Sequence, residues 1–191
     1  MYPELSVSYE GEIKNGAETG KSMVQKFLFG LVGIFIILSF QFRSYFEPFM
    51  VMLAIPLVLI GVLWGHLLLG YNMTMPSMIG FISLAGIVVN DSILLVAYIK
   101  KHQVEGMTTH QAAVSASKER FRAIFITSAT TIAGTAPLLF ETSLQAQVVQ
   151  PLVVSIIFGM SISTLLILLV LPAIYVLLED FGLTSRHHLK E

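Results

Sequence analysis

SMIGFISLAGIVVNDSILLVAYI, residues 77–99, is an apolar run with an acid near its middle. At about 1.5 Å per helical residue it is long enough to cross a hydrocarbon core about 30 Å thick. Asn90 and Asp91 are the polar pair within it. An ionised carboxylate in hydrocarbon is costly, so Asp91 is expected to face protein or water, pair with a donor, or take up a proton. Helical periodicity puts Gly80, Ile87 and Asp91 on one stripe and Ser83, Gly86 and Asn90 on its neighbour. Those small residues would admit a close helix and leave the polar pair facing it. Three readings stay open: a proton-coupling pair, a pair that caps and holds a bundle, and a position at headgroup depth.

Four more tracts of this kind flank it, at residues 23–40, 49–69, 123–140 and 152–178. The chain of 191 residues is 55% hydrophobic and only 12% charged. Its mean hydropathy is +0.80. A soluble domain is about a quarter charged, so a soluble globular enzyme is excluded. The expected fold is all-α, a polytopic bundle of five transmembrane helices over residues 22–178. Residues 1–21 are polar and lead into it. Within them LSVSYEGEI alternates like a half-buried strand, with Leu5, Val7 and Tyr9 on one side. No basic start and small-residue cleavage pattern precedes the first apolar block, which is therefore expected to stay as a span.

The connections carry their own signals. Lys26 can snorkel to an interface, and Pro48 suits the start of the second helix. Pro56 predicts a bend, with Gly61 and Gly65 as small positions beyond it. Residues 100–122 read as a connection holding an amphipathic helix outside the core. Thr108 or Thr109 would cap it, and Ala112, Ala113 and Ala116 would form its small apolar face. Pro172 is expected to bend or end the last helix, before a polar tail at residues 179–191.

Five crossings place the two ends on opposite sides. Arg43, Lys100, Lys101, Lys118, Arg120, Arg122, Arg186 and Lys190 fall on one side, against Lys14, Lys21 and Lys26 on the other. The richer side is expected to be cytoplasmic, with the N-terminus periplasmic. In that topology the basic connection faces headgroups and cytoplasm, which disfavours nucleic-acid binding.

The fourth tract is rich in hydroxyls. Thr127, Thr131 and Thr135 recur at helical spacing, with Ser128 beside them and Gly134 and Pro137 making a local opening. Such hydroxyls bond their own helix carbonyls, hold water, or meet Asn90 and Asp91 across an interface. Ser155, Gly159, Ser161, Ser163 and Thr164 give the fifth tract polarity suited to packing. The methionines are scattered and read as gap-filling or lipid-facing rather than as a thioether ladder for metal. His66 and His110 have no convincing ligand set, and there is no cysteine. No phosphate-binding GxxxxGK[ST] loop and no nucleophilic triad is present, so no cofactor, metal or catalytic residue is expected.

Several long motifs carry a family resemblance. AETGKSMVQKFLFGLVGIFIILSFQFRSYFEPFMVMLAIPLVLIGVLWGHLLLG resembles the eighth and ninth transmembrane helices of a resistance-nodulation-division efflux transporter. GFISLAGIVVNDSILLVAYIKK resembles the tenth, KERFRAIFITSATTIAGTAPLLF the eleventh, and VVQPLVVSIIFGMSISTLLILLVLPAIYVLL the twelfth. The first residues resemble the last strand of the periplasmic porter region. The resemblance implies a bacterial inner-membrane, proton-driven exporter of drugs or other small solutes. It implies a homotrimer in the intact protein, with a periplasmic membrane-fusion protein and an outer-membrane channel as partners.

In the multidrug branch the essential acidic pair belongs to the fourth helix, outside this sequence. The relay lysine of the tenth helix corresponds to Asn90 here, and the adjacent asparagine to Asp91, a departure from the family pattern. The relay threonine and the basic position of the eleventh helix correspond to Thr127 and Arg120. The resemblance thus implies a proton-coupling role for Asp91, Asn90, Thr127 and Arg120. Gly80, Ser83, Gly86, Ser128, Thr131, Gly134 and Thr135 are the helix-packing candidates. The module is expected to be inactive without the remaining N-terminal half and porter domains. A structural or assembly module, or part of a protein-export relative, is the alternative.

Overall fold

The computed structural model describes residues 12–181. The alternation at Leu5, Val7 and Tyr9 and the tail beyond Phe181 lie outside the described residues. Six α-helices follow in order: α1 (Glu12–Phe42), α2 (Phe46–Met52), α3 (Ala54–Leu69), α4 (Met75–Val104), α5 (Thr109–Thr135) and α6 (Leu144–Asp180). A short 3-10 turn at Ala136–Leu139 follows α5. No strand occurs among the described residues.

The chain divides into two compact units, one up to Ile34 and one from Phe35 onward. In the first, α1 exposes Val24, Leu28, Phe29 and Val32, an apolar surface suited to lipid or to another helix. In the second, α6 is the central rod, packing on α3, α4 and α5.

Small residues set how closely these helices approach. A Cβ on Gly61 would lie 2.7 Å from the Phe158 carbonyl oxygen and 2.9 Å from Gly159 Cα. One on Gly80 would lie 2.8 Å from both Leu152 O and Ser155 Cβ. These are backbone approaches of the kind that tie membrane helices together where no hydrophobic effect drives them. The core around them is Val58, Val62, Leu84, Val88, Val153 and Val154, all buried.

Prolines decide where helices stop. Pro56 has no N–H for the Met52 carbonyl and its ring crowds that oxygen, and α2 ends at Met52. The bend expected at Pro56 is a break instead, and it falls about one turn earlier, at Leu53. Pro137 acts the same way on α5, which stops at Thr135 and tightens into the 3-10 turn. Pro151 and Pro172, by contrast, sit inside α6, which runs on to Asp180. Pro172 does not end the helix.

Caps follow the hydroxyls. Thr108 Oγ1 accepts from Gln111 N at 3.4 Å, and Gln111 Oε1 accepts from Thr108 N at 3.3 Å, so Thr108 is the cap of α5. Ser143 Oγ accepts from Ala146 N at 3.3 Å at the start of α6.

Among the described residues four stretches are long and apolar enough to cross a membrane: Asn15–Phe42, Phe46–Leu69, Met75–Val104 and Leu144–Asp180. The fourth tract expected from the sequence, residues 123–140, is not among them. Its apolar α-helical part stops at Thr135 and covers only about 20 Å at about 1.5 Å per residue. Residues 109–122, expected as a separate helix, are continuous with it in α5. Ala112, Ala113 and Ala116 of that half are buried.

Candidate functional site

α4 and α5 form a helical hairpin whose closed end is tightly bonded. Gln103 Nε2 donates to Thr109 Oγ1 at 2.7 Å. His102 lies between two carboxylates, with Nδ1 2.8 Å from Glu105 Oε2 and Nε2 3.1 Å from Glu119 Oε1. Tyr175 on α6 donates its hydroxyl to Gln103 Oε1 at 3.1 Å, fastening the hairpin end to α6.

Further along the hairpin, the Arg120 guanidinium lies 5.3 Å from the centre of the Tyr98 ring. Tyr98 and Asp91 are seven residues apart on α4 and share a face, as do Arg120 and Thr127 on α5. An equal step of two turns along the two antiparallel helices therefore brings Thr127 to the depth of Asp91. Arg120 carries the charge opposite to that of Asp91. The two are not in ion-pair contact, and Arg120 Nε is buried without a hydrogen-bond partner among the described residues.

The predicted residues divide by surroundings. Asn90, Ser83 and Gly86 are exposed on α4, and Asp91 is half-buried. Asn90 makes no side-chain hydrogen bond within the described residues. Thr127 is exposed and donates to Ala123 O at 2.9 Å; Thr131 and Thr135 donate to Thr127 O and Thr131 O, each at 2.8 Å. No hydrogen bond joins Thr127 to Asn90 or Asp91. A Cβ on Gly86 or on Gly134 would meet nothing within 4 Å. Gly80 lies against α6, and Ser128 is buried with its hydroxyl 2.6 Å from Thr164 Oγ1. Asn90, Ser83 and Gly86 on α4, and Thr127 and Gly134 on α5, are thus small or polar positions left uncovered.

Two buried polar clusters were not singled out by sequence. His66 Nδ1 faces Val62 O at 2.9 Å and so carries the proton in that bond, and Nε2 lies 2.8 Å from Ser77 Oγ. Ser155 Oγ in turn donates to Ser77 O at 3.0 Å, joining α3, α4 and α6. The other is Glu47, fully buried and ion-paired to Lys100. A histidine alone in an apolar run, and an acid beside a helix-starting proline, were the available signals, because each must find a partner when buried. Among the described residues no group of three or more His, Asp or Glu side chains is arranged to hold a metal ion.

Helices of this length and apolarity, packed on glycines around α6, define a multi-pass membrane protein. The arrangement is that of a transporter's membrane segment: the chain superposes on the crystal structure of a heavy metal efflux pump with a TM-score of 0.76 at 25% identity. That match covers 91% of this chain and 18% of the pump. The model of the AcrB/AcrD/AcrF family matches residues 1–179, and the chain belongs to that family of resistance-nodulation-division transporters. A Haemophilus influenzae protein described as an uncharacterized transporter is 30% identical over 174 residues, 87% of this chain and 17% of that protein. The swarming motility protein SwrC of Bacillus subtilis is 33% identical over 149 residues, 78% of this chain and 14% of SwrC. The chain thus spans less than a fifth of the length of the relatives it matches.

Proposed function

We propose that this chain is the C-terminal membrane module of a proton-driven exporter of small solutes in a bacterial inner membrane. With α5 taken as a short fifth crossing, its N-terminus would be periplasmic and its C-terminus cytoplasmic. The observation that supports the reading is Asp91, an acid half-buried within the membrane-crossing α4 beside the exposed Asn90, with Thr127 reached by the same two-turn step along the antiparallel α5. Asn90 and Asp91, having no hydrogen-bond partner among the described residues, are free to bond water or a carboxylate from the other half of the pump. In this role Asp91 exchanges a proton or holds water, and Thr127 supplies a hydroxyl at the same level. Arg120 contributes the cation on α5 to the same set. Substrate binding and release belong to the remaining porter domains, so the module is inactive alone. A homotrimer with a membrane-fusion protein and an outer-membrane channel is the assembly that this reading entails.

A structural module is favoured by a different observation: Thr127, Thr131 and Thr135 all bond their own helix, as hydroxyls do when they only satisfy packing. The two readings part in the full-length protein. Asp91→Asn, Asn90→Ala and Thr127→Ala are compared for gradient-driven dye efflux at matched membrane abundance. Coupling residues are expected to lose efflux by about tenfold or more, equivalent to about 1.4 kcal/mol. Unchanged efflux in all three would leave the structural reading standing.

A further inference from the structure

The elbow between α1 and α2 is held in a conformation that its sequence does not favour. Arg43 has φ of 52°, in the left-handed region that crowds a residue with a Cβ. Its neighbours are pinned on both sides. Lys100 Nζ donates to Phe42 O at 3.2 Å, lies 5.1 Å from the centre of the Phe42 ring, and pairs with Glu47. Because Lys100 matches the charge of Glu47, Arg43 is left as the elbow's uncompensated cation. Within the described residues it forms no ion pair or hydrogen bond, and the hydroxyls of Ser44 and Tyr45 beside it have no hydrogen-bond partner.

These three side chains border a cavity of about 400 Å³ whose remaining wall is mainly Phe35, Ile36 and Phe40. Ser39 also lines it, but its hydroxyl is already spent on Phe35 O at 2.7 Å. The site is therefore amphipathic by construction: a guanidinium and two hydroxyls at one end, aromatic and aliphatic carbon at the other. It sits where the apolar tract of α1 gives way to the charged elbow.

We propose that this cavity binds an anionic phospholipid. Its phosphate takes the Arg43 guanidinium and the Ser44 and Tyr45 hydroxyls, while the first acyl segment lies along Phe35, Ile36 and Phe40. Arg matches phosphate geometry with two parallel donors, and a basic side chain at a membrane surface favours anionic over zwitterionic lipid. A soluble phosphate would satisfy the mouth and leave the apolar wall uncovered, so the lipid accounts for the whole lining. This inference is independent of the proton-coupling reading, since it concerns another surface and needs no transport.

The test is native mass spectrometry of the full-length protein titrated with phosphatidylglycerol or with phosphatidylcholine. Preferential retention of phosphatidylglycerol is expected, weakened about fivefold in Arg43→Gln. Phe40→Ser shortens the apolar wall at an exposed position and is expected to weaken retention without disturbing the fold. Lys118→Gln, an exposed change away from the cavity, leaves it unchanged. Equal retention of the two lipids, full retention in both Arg43→Gln and Phe40→Ser, or displacement by soluble glycerol 3-phosphate would overturn the proposal.

Discussion

Ser128 and Thr164 meet at 2.6 Å between α5 and α6, and both are buried. Removing one hydroxyl strands the other in a place where water does not reach. Ser128→Ala is expected to cost about 1 kcal/mol, the usual scale for an interhelical hydroxyl bond in a membrane. Adding Thr164→Val should cost little more, since no polar atom is then left behind. Equilibrium unfolding in mixed micelles checks this, and fully additive losses would mean that the bond carries no coupling energy. The hydroxyls of α5 were legible as a set, because their spacing is helical. Their partners were not: Ser128 and Thr164 are far apart in sequence, and periodicity says which face a residue occupies, not what lies opposite. Asp91 was legible for the opposite reason, since a lone acid in an apolar run announces itself. Glu47 and His66 stood out as lone polar residues, but the partners that each finds, Lys100 and Ser77, were not legible.

Glycine separates helices that touch from helices that do not. Gly61 and Gly86 read alike in sequence, each a small residue in an apolar tract. In the fold a Cβ at Gly61 would meet the backbone of α6 at 2.7 Å, whereas at Gly86 it would meet nothing within 4 Å. Gly61→Ala is expected to destabilise by about 1–3 kcal/mol, because rigid backbone must move. Gly86→Ala is expected to stabilise the helix by about 0.5–1 kcal/mol through backbone entropy alone. Thermal unfolding of the two variants side by side measures the contrast, and a matching loss at Gly86 would show a close neighbour at that face. An all-helical membrane bundle, and a threonine cap at 108 or 109, could be read from apolar length and capping residues; the division into helices could not, since the second tract splits at Leu53 and residues 109–122 run on into the fourth. The exact ends could not, because Pro56 and Pro137 act on carbonyls one turn upstream, while Pro151 and Pro172 are absorbed into a continuous rod. The division between buried and uncovered faces also escaped the sequence, since lipid and protein interior ask for the same side chains.

For the whole molecule, one residue has an effect larger than its size. Gln150 Nε2 donates to Glu141 O at 2.8 Å and approaches Leu138 O and Leu139 O at 3.4 and 3.3 Å, while its Oε1 accepts from Tyr71 OH at 2.8 Å. Those carbonyls lie just where α5 has stopped being an α-helix. In hydrocarbon, backbone without a partner costs several kcal/mol per group, and here the partner is carried by the following helix. The consequence falls on synthesis. As the chain emerges from the ribosome, α5 arrives with its end unfinished and its apolar helix short, and only α6 brings the amide that completes it. The two segments are therefore expected to enter the bilayer as a pair. In an insertion assay α5 alone should integrate much less often than α5 joined to α6, and Gln150→Leu should lower the efficiency of the pair. Equal integration of α5 alone would mean that it reaches the membrane complete, leaving Gln150 merely to fasten a loop.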